Sequence, residues 1–266
     1  MASDAVTAAG TAYDVEGPEA APAVVLIHGL GLHRGIWAHY RPALSRRYRV
    51  IAYDLLGHGG SRLLTGLPPL AGFARQIAEM LDHLDIDRAA LIGFSLGGMI
   101  NRRFALDFPA RTSALAILNS PHERSPDQQQ LVEQRAAASA EGPDATIDAA
   151  LERWFTPQYR AERPDVIAAV RRDVIANDRQ SYQFCRQVLA TGVIELIRPS
   201  PPVDTPTLVM TCEHDGGSTP AMAVAIAGEI AAARTVIVPG LRHMGLVERP
   251  DLFVDPLLQF LGEAGW

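Results

Sequence analysis

Six short apolar runs, each closing on a glycine or a polar residue, punctuate the chain: AVVLIHG (23–29), YRVIAYD (48–54), RAALIGFS (88–95), TSALAILNS (112–120), TPTLVMTCEHD (205–215) and ARTVIVPG (233–240). Near-continuous aliphatic and β-branched runs of this length suit strands buried on both faces, as in a parallel sheet. Between them lie helical stretches, among them LAGFARQIAEMLDHL (70–84), GGMINRRFALDF (97–108, stopped by Pro109) and AMAVAIAGEIAA (221–232). Strand and helix alternate, which predicts an α/β fold with a doubly wound, mostly parallel central sheet and flanking helices. With 266 residues, 48% of them hydrophobic, the chain can bury a core of that size.

The alternation fails in one place. From Pro121 to Pro202 no run reads as a strand, whereas PDQQQLVEQRAAASA, PDATIDAALERWF, RPDVIAAVRRDVIAND and RQSYQFCRQVLAT read as successive helices separated by Pro, Gly and polar breaks. An insertion of roughly 80 residues between two strands is far longer than an ordinary connection. The expected organisation is a core of residues 1–120 and 203–266, with residues 121–202 forming a helical cap over the strand ends.

Composition excludes several classes of partner. A net charge of −6 gives no basic surface excess for nucleic acid or an anionic membrane. The N-terminal MASDAVTAAGTAYDVEG lacks the basic and apolar regions of a secretion signal, and no stretch of about 18 apolar residues suggests a spanning helix. A cytoplasmic location and a small-molecule partner are expected, and a homo-oligomer is left open. Cys185 and Cys212, the two cysteines, are far apart and read as buried free thiols.

Ligands of open α/β sheets bind outside the carboxyl ends of the strands. Those ends carry, in chain order, His28-Gly29-Leu30-Gly31, Asp54, Ser95, Asn119 and Asp215, with His243 in a loop after the last strand. Ser95 lies in Gly93-Phe94-Ser95-Leu96-Gly97, a G-x-S-x-G pattern in which small residues two before and two after the serine permit a tight strand-to-helix turn. A serine hydroxyl is a weak nucleophile at neutral pH and needs a base, and the base needs an orienting acid.

Of the eight histidines, His243 has the position a base requires. His28 and His58 sit in turns where they support backbone, while His33, His39, His83, His122 and His214 read as surface or cap residues, with His122 also a candidate to reach the pocket. Asp215 is the expected acid. Asp54 precedes the serine and fits a structural role in its turn, Asn119 cannot carry the charge, and Glu213 is the nearest rival. Oxyanion stabilisation needs backbone N–H donors, and Leu30 and Leu96 are placed to supply them. The glycines at 29, 31 and 35 do not match the dinucleotide pattern G-x-G-x-x-G.

In HGLG (28–31), DLLGHGGS (54–61), GFSLGGM (93–99), CEHDGGSTP (212–220) and PGLRHMGLVERPDLF (239–253), the chain resembles the α/β-hydrolase family over essentially its whole length. The resemblance implies Ser95 as nucleophile, Asp215 as acid, His243 as base and no metal or organic cofactor. The cap segment 151–185 looks like that of 3-oxoadipate enol-lactonases and related lactone and ester hydrolases. Leu56 stands where the family often has an arginine, and His28 where those lactonases commonly carry another residue. A serine at the elbow excludes the haloalkane dehalogenases and epoxide hydrolases of the family, whose nucleophile is an aspartate.

Hydrolysis of a small ester or lactone is the expected activity. Carbon–carbon bond hydrolysis of a β-diketone-like compound, or a non-catalytic small-molecule receptor on the same fold, stand as alternatives. Trp154, Phe155, Tyr182, Phe184 and His122 are candidates to line the pocket, and Arg124, Arg179 or Arg186 to meet an acidic group on the substrate.

Overall fold

The computed structural model describes residues 5–265. Its single sheet is built from β1 (Ala5–Val6), β2 (Ala12–Glu16), β3 (Ala23–Ile27), β4 (Arg49–Tyr53), β5 (Ala89–Phe94), β6 (Thr112–Leu118), β7 (Thr207–Cys212) and β8 (Ala233–Val238), in the spatial order β1-β2-β4-β3-β5-β6-β7-β8. All six apolar runs form strands, and β4, β3, β5, β6, β7 and β8 are mutually parallel. Two strands were not anticipated: β1 and β2 pair antiparallel with each other, and β2 pairs antiparallel with β4, Tyr13 opposite Tyr53. Their sequences are short or mixed with acidic residues, because β2 faces solvent in part.

Every residue of β3, β5 and β6 is buried, while β8, at the sheet edge, is half-buried along most of its length. Helices cover the sheet, among them Leu70–His83, Leu96–Asp107, Pro220–Gly228 and Asp251–Glu263. Trp37, Phe73, Phe94, Phe104 and Phe253 are completely buried between these layers. Each such side chain contributes about 1.5–3 kcal/mol relative to an exposed one.

Between β6 and β7 the chain forms helices at Pro126–Ala138, Asp144–Trp154, Pro157–Glu162, Pro164–Ile175 and Arg179–Thr191. Local sequence explains their starts. Ser125 and Gln128 form a reciprocal capping box, and the side chains of Thr156 and Asp178 cap the helices that follow them. The helix Pro157–Glu162 is additional to the four that the sequence suggested; its Thr-Pro start is a helix-initiating signal that a reading of proline as a break passes over. Among the described residues no helix is long and apolar enough to cross a membrane.

Candidate active site

The turn after β5 puts Ser95 at φ 56°, a left-handed conformation costly for any residue with a Cβ. Its neighbours make the turn feasible. A Cβ on Gly93 would overlap the Gly97 carbonyl, and one on Gly97 would overlap the Ile27 carbonyl at the end of β3. The strand and the helix Leu96–Asp107 thus approach as closely as backbone allows, and Ser95 stands at the junction.

Three strand ends and one loop converge there. Ser95 Oγ lies 3.2 Å from His243 Nε2, and His243 Nδ1 lies 2.7 Å from Asp215 Oδ2. Asp215 is buried, and its carboxylate also accepts hydrogen bonds from Asn119 Nδ2 at 2.9 Å and from the N–H groups of Gly217 and Ser218 at 2.9 and 3.0 Å. Burial presses its pKa upward. The adjacent His243 ring, the hydrogen bond to it, and those from Asn119 and Gly217 outweigh burial and hold the carboxyl below its ordinary value. Asn119, set aside on sequence grounds because it is neutral, is therefore a donor that orients the acid.

The loop carrying His243 is anchored on both sides. Met244 N–H donates to Trp154 O at 2.9 Å, and Arg242 donates to Glu152 O at 2.7 Å. Phe94 and Trp154 flank the imidazole, with ring centroids 5.0 and 6.1 Å away.

Leu96 is the first residue of its helix, so its N–H has no intrahelical acceptor. A Cβ on Gly29 would crowd the Phe94 ring and Ser95 Cβ, and the following Leu30 lines the cavity together with Ser95. The next two N–H groups are already engaged: Gly31 donates to His58 Nε2 at 2.9 Å and Leu32 to Gly29 O at 3.3 Å. His28 Nε2 similarly accepts from Leu55 N–H at 3.0 Å. Both rings must then carry their proton on Nδ1, facing Gly29 O and Leu56 O respectively. Complete burial pushes both histidines down to about 3, so they are neutral struts of this loop.

Asp54 also has a structural position, accepting from Arg34 and from the N–H of Gly60. Cys185 and Cys212 are buried free thiols, pushed up to about 12 by burial. Among the described residues, no group of three His, Cys, Asp or Glu side chains is arranged to hold a metal ion.

Ser95, Asp215 and His243 open into a cavity of about 760 Å³ whose wall includes Leu30, Phe94, Trp154 and Met244. Trp154 and Arg124 lie on that wall, as the sequence suggested, but Arg124 spends its guanidinium on the carbonyls of Ala190 and Leu189 and on Gln129. His122 does not reach the cavity. Its Nε2 pairs with Glu229 at 3.1 Å, and it faces a separate cleft beside Met222. Tyr182 is also displaced from the wall, because Gly31, at φ 76°, lets the ring pack directly on the backbone behind the serine loop. Phe155 is fully buried and stacks on Tyr159, Phe184 is absent from the wall, and Arg179 is turned to Ala140 O. His214 is exposed, as expected of a surface residue, and also borders the cavity.

Residues 22–250 match the family model for the alpha/beta hydrolase fold. The chain belongs to the α/β-hydrolase family. This α/β hydrolase is 27% identical to 3-oxoadipate enol-lactonase 2 of Acinetobacter baylyi, over 94% of its own length and 93% of that protein's. Among solved structures it is similar to a hydrolase from Pseudomonas aeruginosa PA01, with TM-score 0.89 and 29% identity, covering 98% of both chains. It is similar also to the enol-lactonase from Burkholderia xenovorans LB400, with TM-score 0.85 and 30% identity over 95% of this chain and 96% of that one. The protein is a hydrolase of that family.

Proposed function

We propose that this α/β hydrolase cleaves a small carboxylic ester or lactone through an acyl-enzyme on Ser95. The reading is carried by the continuous Asp215–His243–Ser95 hydrogen-bonded chain, with contacts of 2.7 and 3.2 Å, at a turn that also exposes a helix's first N–H. The enol-lactonases among its relatives support the bond class.

In this mechanism the substrate carbonyl oxygen sits between the N–H groups of Leu30 and Leu96. His243 Nε2 takes the hydroxyl proton as Ser95 Oγ attacks the carbonyl carbon. Asp215 holds the proton-bearing Nδ1 in place and stabilises the imidazolium. The tetrahedral oxyanion is stabilised by these two N–H dipoles, which are fixed in the backbone and need little reorganisation. Collapse breaks the C–O bond, with His243 returning the proton to the departing alkoxide; in a lactone the released alcohol stays tethered to the acyl group. Water then repeats the sequence and frees the acid. The helices of residues 121–202 act as a cap that shapes the pocket.

The test is a screen of lactones, short esters and vinylogous β-diketones with products identified, run on wild type and Ser95→Ala. Ester or lactone turnover is expected, falling by about 10⁴–10⁶ in kcat in the variant, together with fluorophosphonate labelling of Ser95. A diketone cleaved far faster than every ester would transfer the enzyme to carbon–carbon hydrolysis. Absence of turnover and labelling alike would leave a receptor.

A further inference from the structure

The cavity above Ser95 is electrically unlike the rest of the molecule. The chain has a net charge of −6, yet the cavity wall contains Arg124, Arg135, Arg153, Arg160, Arg186 and Arg242 against two carboxylates, Glu152 and Asp215. Asp215 is committed to His243. Because the sequence contains no lysine, arginine in place of lysine carries no meaning here. Placement and pairing do.

Arg124 and Arg242 are used to tie backbone carbonyls. Arg135, Arg153 and Arg186 differ. They come from three separate cap helices, Pro126–Ala138, Asp144–Trp154 and Arg179–Thr191. None forms an ion pair among the described residues, and the one side-chain hydrogen bond the three make there is from Arg153 to Ala149 O at 2.6 Å. Arg186 is only 8% exposed. A guanidinium that deeply buried ordinarily has a carboxylate beside it. Burial and mutual repulsion lower the proton affinity of Arg153, with Arg135 and Arg186 as the repelling neighbours, and Arg135 is lowered by burial and by Arg186. Glu152, exposed, is the carboxylate that partly offsets Arg153. Three neighbouring cations, Arg186 buried, Arg135 half-buried and Arg153 exposed, thus face one cavity with little compensation, an arrangement suited to an anion.

Resting on the hydrolase reading above, we infer that the substrate carries an anionic oxygen group, a carboxylate or a phosphate, remote from the scissile carbonyl and held by Arg135, Arg153 and Arg186. The apolar strip of Leu131, Val132 and Leu189 on the same wall would accommodate an aliphatic segment of the substrate. Binding energy gathered at this distance from the reacting carbon orients the carbonyl on the N–H groups of Leu30 and Leu96.

Two measurements test the site. In the first, adipate, inorganic phosphate and 1,6-hexanediol are titrated calorimetrically into Ser95→Ala, which needs no turnover. Adipate or phosphate is expected to bind at least tenfold tighter than the diol, the tighter of the two identifying the anion, and to lose at least tenfold when Arg186→Gln, or Arg135→Gln with Arg153→Gln, is added. In the second, the kcat/KM ratio of p-nitrophenyl hemiglutarate to p-nitrophenyl butyrate is expected to fall at least tenfold in those variants of the active enzyme. It should recover in part in Arg186→Lys and stay constant in Arg171→Gln, an exposed cap arginine paired with Asp148. Should Arg186→Gln fail to fold, the double variant at the two less buried positions carries the test. Diol binding equal to anion binding, or variants that retain both the affinity and the ratio, would overturn the site. Turnover of no ester by wild type, with anion binding intact, would overturn the hydrolase reading and leave the anion site standing.

Discussion

The rim of the sheet and the wall of helices above it contribute to one cavity by opposite means. On the rim, Ser95 and Asp215 are placed by backbone at strand ends and fixed by hydrogen bonds, Asp215 accepting from His243, Asn119, Gly217 and Ser218. On the wall, Arg135, Arg153 and Arg186 project from three helices and are almost without partners. On the mechanism proposed above, chemistry common to many substrates belongs to the satisfied region, and discrimination among substrates to the unsatisfied one. Polar groups that must hold a fixed geometry are saturated by protein, whereas groups that wait for a ligand carry an uncompensated charge.

Changes on the rim should therefore be drastic. Asp215→Asn is expected to lower kcat by about 10⁴, or ~5.4 kcal/mol, with the fold retained in circular dichroism, since an amide facing Nδ1 favours the wrong imidazole tautomer. A loss smaller than tenfold would remove Asp215 from the mechanism. Next in size, Gly97→Ala should destabilise the protein by about 3 kcal/mol in urea unfolding, because its Cβ overlaps the rigid Ile27 carbonyl. A wild-type midpoint would show that the elbow has slack.

The buried struts allow a subtler comparison. An unfolded histidine takes a proton near 6.5, whereas His28 and His58 hold out to about 3 in the fold. Acid thus favours the unfolded chain. Their contribution to stability is intact above pH 6.5 and is lost as the pH falls from 6.5 toward 3. In His58→Asn the slope of unfolding free energy against pH should be shallower than in wild type by up to about 1.4 kcal/mol per pH unit across that window. Parallel slopes would mean that His58 is protonated or solvated in the native state. At the small end, Arg171→Gln on the helix Pro164–Ile175 should leave the thermal midpoint unchanged within error, its ion pair with Asp148 being exposed. A resolvable drop would show the cap to be more tightly braced than its surface pairs suggest.

The same contrast decides what could be read in advance. The six parallel strands announce themselves through local apolar runs, and the elbow through glycines two residues from Ser95. Both follow from sterics acting over a few residues. The pairing of β2 with β4 depends on partners 34 to 40 residues away and on a strand partly open to solvent, so its pattern is weak. Asn119 cannot carry the charge an acid needs, so its residue type alone signals no role at the site. Its usefulness is as a donor to an acid 96 residues further on. His122 and Tyr182 lie off the expected wall for a related reason: membership of a helical region says nothing about which side of it a side chain takes. One of the three expected anion contacts, Arg186, lies in the cluster, and Arg135 and Arg153 had no local signal at all, since convergence of three helices is a property of packing.

The ties between the His243 loop and the helix Asp144–Trp154 run to the main-chain carbonyls of Glu152 and Trp154. A carbonyl is present whatever residue stands there. The tether on the Met244 side, main chain to main chain, is therefore indifferent to the identity of the cap side chains. Those side chains can be exchanged for a new clientele while the machinery beneath keeps its alignment, which makes this wall the natural place to begin retraining the protein.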